Sequence, residues 1–240
     1  MWTVLNIEIR KLNRSLALLL AVTAPCLIGI FGFFNITRFD QAGPWEQWLL
    51  TSVGVWAFFM LPMSVTALTA LVGQMEHSPR SWDHLRALPV PRWRLYAAKA
   101  VCVLGLVVLM SALNLALTYG AVQLAAHVKP AIRPTGDPEL LKTAWVLAKV
   151  LAAALLMIAI QFWAALRFAS FVPALALGIG GTFFAVVATG AKQGVFFPWQ
   201  MAVNVMGEGW RHDTALMLGA GLGVVALTAA IAHLAWREAR

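Results

Sequence analysis

Charge is what this 240-residue chain has least of: Asp, Glu, Lys and Arg make up 12% of it, while 61% is hydrophobic. A soluble domain carries roughly twice that charged share to clothe its surface, so water is excluded as the main solvent and lipid takes its place. Cysteine is nearly missing too. Cys26 and Cys102 each stand alone in an apolar stretch, read as small packing residues, and offer no disulfide framework. The signatures of catalysis are missing as well: GxxxxGK[ST], HExxH, GxSxG and SxxK do not occur, so NTP hydrolysis, zinc proteolysis and serine acylation lack their usual residues. None of the ten carboxylates falls mid-way through an apolar run, which argues against a proton-driven pump. The nearest approach to a metal site is Glu76, His77, Asp83 and His84, which reads as the polar face of a solvated loop. The sequence thus predicts no catalytic, cofactor or metal residues in this chain.

What is there is apolar length. Ser15 to Thr37, Trp48 to Met75, Ala100 to Ala126, Phe168 to Ala191 and Thr214 to Trp236 are free of central charge, and a helix needs about 20 such residues to cross a bilayer. A sixth run, Thr143 to Leu166, is interrupted only by Lys149, whose stem can carry its ammonium to the interface. The runs are continuous and about twice the length of a tilted barrel strand. The predicted fold is therefore an all-α polytopic membrane protein with spans at 16–35, 48–74, 100–126, 144–166, 169–190 and 214–236. A cleaved signal peptide ending near Ala21 to Ala24 is the competing reading of the first run, but the apolar stretch continues to Phe34.

Lys and Arg fall unevenly about these runs. One side collects Arg10, Lys11, Arg14, Arg80, Arg86, Arg92, Arg94, Lys99, Arg167, Arg237 and Arg240; the other holds Arg38, Lys129, Arg133, Lys142, Lys192 and Arg211. The richer side should face the cytoplasm, which puts both termini inside a multi-pass membrane protein. Because the net charge of +8 sits beside membrane ends and forms no single basic face, it predicts anionic lipid as a partner and no nucleic acid.

Residues 1–14 predict an interfacial helix ahead of the six-span domain at 15–240. Trp2, Leu5, Ile9, Leu12 and Leu16 share one helical face, while Glu8, Arg10, Lys11 and Arg14 lie off it. Trp2, Leu5, Ile9, Arg10, Lys11, Leu12 and Arg14 are accordingly the expected membrane-surface residues. The alternative is the frayed end of a long first span. In the loop at 76–99, Ser78 and Pro79 form a helix start and Pro89 and Pro91 a stop. Trp82, Leu85 and Leu88 make an apolar ridge between them, fit either to cover the bundle's own end or to dock a partner. On the far side, 192–213 is long and apolar, and Phe196, Phe197, Trp199 and Trp210 predict either a re-entrant helix or an interfacial loop held by an aromatic belt. Pro25, Pro62 and Pro173 predict kinks or breaks. Gly219 and Gly223 form a GxxxG suited to close helix packing inside the bundle. Asn114, Gln123 and Gln161 are uncharged polar groups expected in interhelical hydrogen bonds, with a translocation path as the other use.

Taken in order, EIRKLNRS before the first span, Glu76 at the close of the second and then SWDHLRALPVPRWRLYAAK resemble permease subunits of type-2 ABC exporters, in particular the lantibiotic-immunity and bacitracin-resistance group. The likeness covers the whole chain in layout and is specific in the loop. It implies coupling to a cytosolic ABC ATPase through Glu76, Trp82, Leu85, Arg86, Leu88, Pro89, Arg92 and Lys99, with ATP and Mg held by that partner. It also implies pairing with a second permease, identical or related, and export of an amphiphile such as an antimicrobial peptide, drug or lipid-like compound. It favours the re-entrant reading of 194–210. An intramembrane enzyme and a non-transporting scaffold are the competing functions.

Overall fold

A chain that buries its backbone in lipid must satisfy every amide within its own segment, and helices do so. The computed structural model describes residues 2–13, 15–77 and 91–237, and among them every regular element is helical. We number the α-helices α1 Trp2–Leu12, α2 Leu16–Thr37, α3 Trp45–Val55, α4 Leu61–His77, α5 Arg92–Val128, α6 Leu140–Arg167, α7 Val172–Val187, α8 Pro198–Asn204, α9 Trp210–Leu216 and α10 Gly223–Arg237. Six stretches of the described residues are long and apolar enough to cross a membrane: Leu16–Thr37, Trp45–Met75, Arg92–Val128, Leu140–Arg167, Val172–Gly190 and Trp210–Arg237. Each overlaps one expected span, so the all-α six-span architecture holds.

The second span is the centre of the bundle. Its most apolar window is 61% buried, against 22% in the fifth and sixth spans. α2 packs along α5, α10 along α6, and α4 against both α6 and α7. α5 is the longest helix, at 37 residues. At 1.5 Å per residue it reaches about 55 Å, well beyond the roughly 30 Å hydrocarbon core, so its Arg92 end projects out on the side of the termini.

Two spans contain a widened turn that the sequence pattern does not announce. Trp56–Met60 joins α3 to α4 as a π turn, and the Leu61 amide donates back to the Trp56 carbonyl. Pro62 follows at once, so the expected irregularity at this proline takes the form of a π turn just before it. Met217–Leu222 is a second π turn, between α9 and α10. Pro173 departs from expectation: it lies in the first turn of α7 and begins that helix, where its missing N–H costs nothing. Pro25 stays inside a continuous α2.

The GxxxG packs within the chain. A β-carbon at Gly219 would fall on the Ala153 carbonyl, and one at Gly223 would lie 2.7 Å from the Leu156 amide nitrogen, so α10 and the π turn before it touch α6 backbone to backbone. Gly221, between them, faces open space.

Candidate functional site

On the side of the termini, α1 lies against the start of α5. Val4, Glu8 and Leu12 recur every four residues and form its buried face, whereas Trp2 is 80% and Ile9 50% exposed. Arg10 is exposed, Lys11 and Leu5 are partly buried, and Leu5 packs on the core. Leu12 therefore departs from the membrane-facing set, and Glu8 takes a place in the bundle that the apolar stripe did not assign to it. Arg14 lies outside the described residues.

The burial of Glu8 is compensated by charge. Its two oxygens accept from Lys99 Nζ at 2.6 Å and Lys11 Nζ at 2.9 Å. The Glu8 and Lys99 side chains are only 7% and 3% exposed. An ion pair so desolvated persists only with close geometry, and losing one member leaves an uncompensated charge. It fastens α1 to α5 seven residues beyond Arg92, where α5 emerges from the 76–99 loop. Sequence reasoning missed Glu8; the available signal was a lone carboxylate in an otherwise basic segment with Lys11 three residues on.

Of the expected coupling residues, Trp82, Leu85, Arg86, Leu88 and Pro89 lie outside the described residues. Glu76 falls in the last turn of α4, and Arg92 opens α5 with its Nη1 buried and without a hydrogen-bond partner among the described residues. Lys99 joins Glu8 as above.

Within the membrane, polar groups tie the central spans together. Trp56 Nε1 donates to Ser111 Oγ at 3.0 Å, Asn114 Nδ2 donates to Ser52 Oγ at 3.3 Å, and the Ser52 and Thr118 hydroxyls meet at 2.6 Å. This seam joins the second span to α5. Another joins it to α6 and α7: Gln161 Nε2 donates to Thr66 Oγ1 at 2.7 Å, in a space that Gly178 leaves open by having no β-carbon. Asn114 and Gln161 thus make interhelical bonds as expected, and each keeps its carbonyl oxygen buried and unpaired. Gln123 instead donates to Tyr119 one turn away on the same helix. Lys149 is half-buried, nine residues along α6.

On the opposite side, Phe196 and Trp210 are exposed, whereas Trp199 is 4% exposed and Phe197 stacks on it at 5.4 Å. Trp199 thus sits in the core and outside an aromatic belt. Behind it, Gln200 Nε2 donates to the Ala185 carbonyl at 2.6 Å, and α8 packs on α6, on α7 and on the π turn at Trp56–Met60. The first two loops on this side are clipped together, with Thr135 N–H donating to Gly43 O and Trp45 N–H to Thr135 O. Lys129 pairs with Asp40, and Lys142 with both Glu46 and Glu139. Lys129 holds the Asp40 carboxyl below its usual range.

Among the described residues no three His, Cys, Asp or Glu side chains stand close enough to share a metal ion. What the geometry provides is a helix bundle with uncharged polar seams, and an amphipathic helix fastened to a long span that leaves the membrane. A family model described as ABC-2 family transporter protein matches residues 4–189. No curated protein and no solved structure matches the chain. The family match begins in α1 and runs through the fifth span, well over half the chain, and it agrees with the six-crossing architecture: the chain belongs to the ABC-2 family of transporter proteins, as a multi-pass membrane permease that is not itself the catalytic component.

Proposed function

We propose that this permease is the membrane half of an ATP-driven exporter of the lantibiotic-immunity and bacitracin-resistance type. It lies in the bacterial inner membrane with both termini cytoplasmic and moves an amphiphile outward. A cytosolic ABC ATPase, carrying ATP and Mg, docks on the Trp82, Leu85 and Leu88 ridge, and a second permease completes the transmembrane pathway. The observation that carries this reading is the buried Glu8–Lys99 pair. It makes α1 and the emergent end of α5 one mechanical unit, so that force applied to the loop before Arg92 is delivered to both the interfacial helix and the third span. Uncharged seams at Ser52, Asn114, Thr118 and Gln161 support an amphiphilic cargo over an ion.

Trp82→Asp together with Leu85→Asp tests the docking step. The double variant should insert in the membrane normally yet lose ATPase co-purification with the chain. Undiminished co-purification would remove the docking ridge from the proposal.

A further inference from the structure

Between α1 and α5, on the side of the termini, lies an open groove of about 460 Å³. Its wall includes Leu5, Ile9 and Leu12 of α1, Leu18 of α2, and Gly105 and Leu109 of α5, with Asn13 the one amide or charged side chain among its lining residues. Ile9 and Leu109 are 50% and 43% exposed, so the trough opens outward from the bundle at membrane depth. Gly105 faces open space in it: a β-carbon there would meet nothing within 4 Å.

Helix spacing places two cations beyond its lining residues. Arg94 precedes the groove residue Val101 by seven positions, and so lies on the same face of α5, about 10 Å closer to the side of the termini. Arg10 lies in the last turn of α1, next to the lining residue Ile9. Both are exposed, and neither forms an ion pair with a described residue; the Arg94 guanidinium rests 5.5 Å over the Trp93 ring. A second trough along α2 and α5, lined by Gly29 and Gly120, is comparable in size at about 400 Å³. There the next cation along the chain, Lys129, is already held by Asp40 at 2.8 Å. Of these two troughs, the one between α1 and α5 is the one flanked by exposed guanidinium groups without an ion pair among the described residues.

From this we infer that the α1–α5 groove is a binding site for one anionic phospholipid of the leaflet on the side of the termini. An acyl chain lies along Gly105, and the phosphate is met by Arg94 and Arg10. The site requires neither an ATPase nor a transported substrate.

The test uses the full chain in nanodiscs of mixed phosphatidylglycerol and phosphatidylcholine, with a trace of either lipid carrying a photoreactive diazirine in mid-chain. Adducts are mapped by peptide mass spectrometry. The phosphatidylglycerol probe should label 5–13 and 101–109 in preference to the phosphatidylcholine probe. Gly105→Phe should lower that labelling by about tenfold, the equivalent of about two methylenes excluded from an apolar slot. Gly105→Leu should lower it less. Arg10→Gln with Arg94→Gln, both at the surface, should abolish the preference while leaving some labelling by either probe; this variant decides the matter if the Gly105 variants fail to fold. Equal labelling by the two probes in the unaltered chain, labelling unchanged by filling Gly105, or a preference that survives the arginine substitutions would each overturn the site. So would protein–protein cross-links through 101–109, which would make the groove an interface between copies.

Discussion

At Glu8 and at Trp56, one side chain answers for a helix contact, and the cost of removing it follows from burial. Glu8 accepts from two ammonium groups while 5% exposed. Glu8→Gln leaves Lys99 desolvated with one carboxylate charge fewer beside it, a loss of about 3 kcal/mol by analogy with broken buried pairs. Thermal unfolding of the detergent-purified chain should shift down clearly, and limited proteolysis should open the α1 segment first; an unchanged melting profile would mean that the pair does not hold α1. Trp56 is wholly buried, and its N–H depends on the Ser111 hydroxyl. Ser111→Ala removes the hydroxyl with little change of volume and strands the donor, costing about 2 kcal/mol. Ser111→Thr keeps the hydroxyl and should fall well short of that in the same melting assay.

At the scale of elements, the close contact of the sixth span with α6 rests on Gly219 and Gly223, since a side chain at either would meet backbone that cannot move aside. Gly219→Val should therefore cost about 2 kcal/mol or more through overpacking, while Gly221→Ala, in open space two residues on, should be neutral or stabilise by up to about 1 kcal/mol. Equal destabilisation by both would mean that the α6 contact is not what the glycines serve. The loop clip on the side away from the termini has a pH limit of its own. Lys129 lowers the Asp40 pKa below 3.8, so this pair's contribution is present above that value and fades as the pH falls through the lowered one. Amide exchange in 38–47 should consequently speed up below about pH 3.8 relative to its intrinsic rate, with the Asp40→Asn variant showing no such step.

These elements also show where sequence reading succeeds and stops. The six spans were legible because lipid demands continuous apolar length, a signal that one Lys149 does not erase. The GxxxG was legible because small residues at that spacing have few other uses. Glu8 was hidden because an amphipathic stripe separates apolar from polar, and cannot separate a carboxylate facing water from one facing Lys99, 91 residues away. Trp199 was hidden for the converse reason. An aromatic near a membrane end fits the interface and the core equally well, and burial depends on the α6, α7 and π-turn surfaces that receive α8. The π turns at Trp56–Met60 and Met217–Leu222 shift hydrogen bonds without changing composition, and so leave no trace in an apolar run.

For the whole molecule, the net charge of +8 is partitioned more sharply than the Lys and Arg tally alone suggests. On the side away from the termini the six cations are matched by Asp40, Glu46, Asp137, Glu139, Glu208 and Asp213, several of them in direct pairs. On the side of the termini only Glu8, Glu76, Asp83 and Glu238 oppose eleven cations. Almost the whole excess therefore lies on one face of the bilayer. Juxtamembrane cations are retained on the cytoplasmic side during insertion, and the expected outcome is that both termini lie inside. Once Cys26 and Cys102 are replaced by Ala, a single cysteine at exposed Gln41 or Asp137 should react with a membrane-impermeant maleimide in intact cells, after outer-membrane permeabilisation where one is present. Thr3→Cys, on the exposed face of α1, should react only after the inner membrane is opened. The reverse pattern would place the termini and the 76–99 loop outside, beyond reach of any cytosolic ATPase, and the permease would then have to be powered from elsewhere.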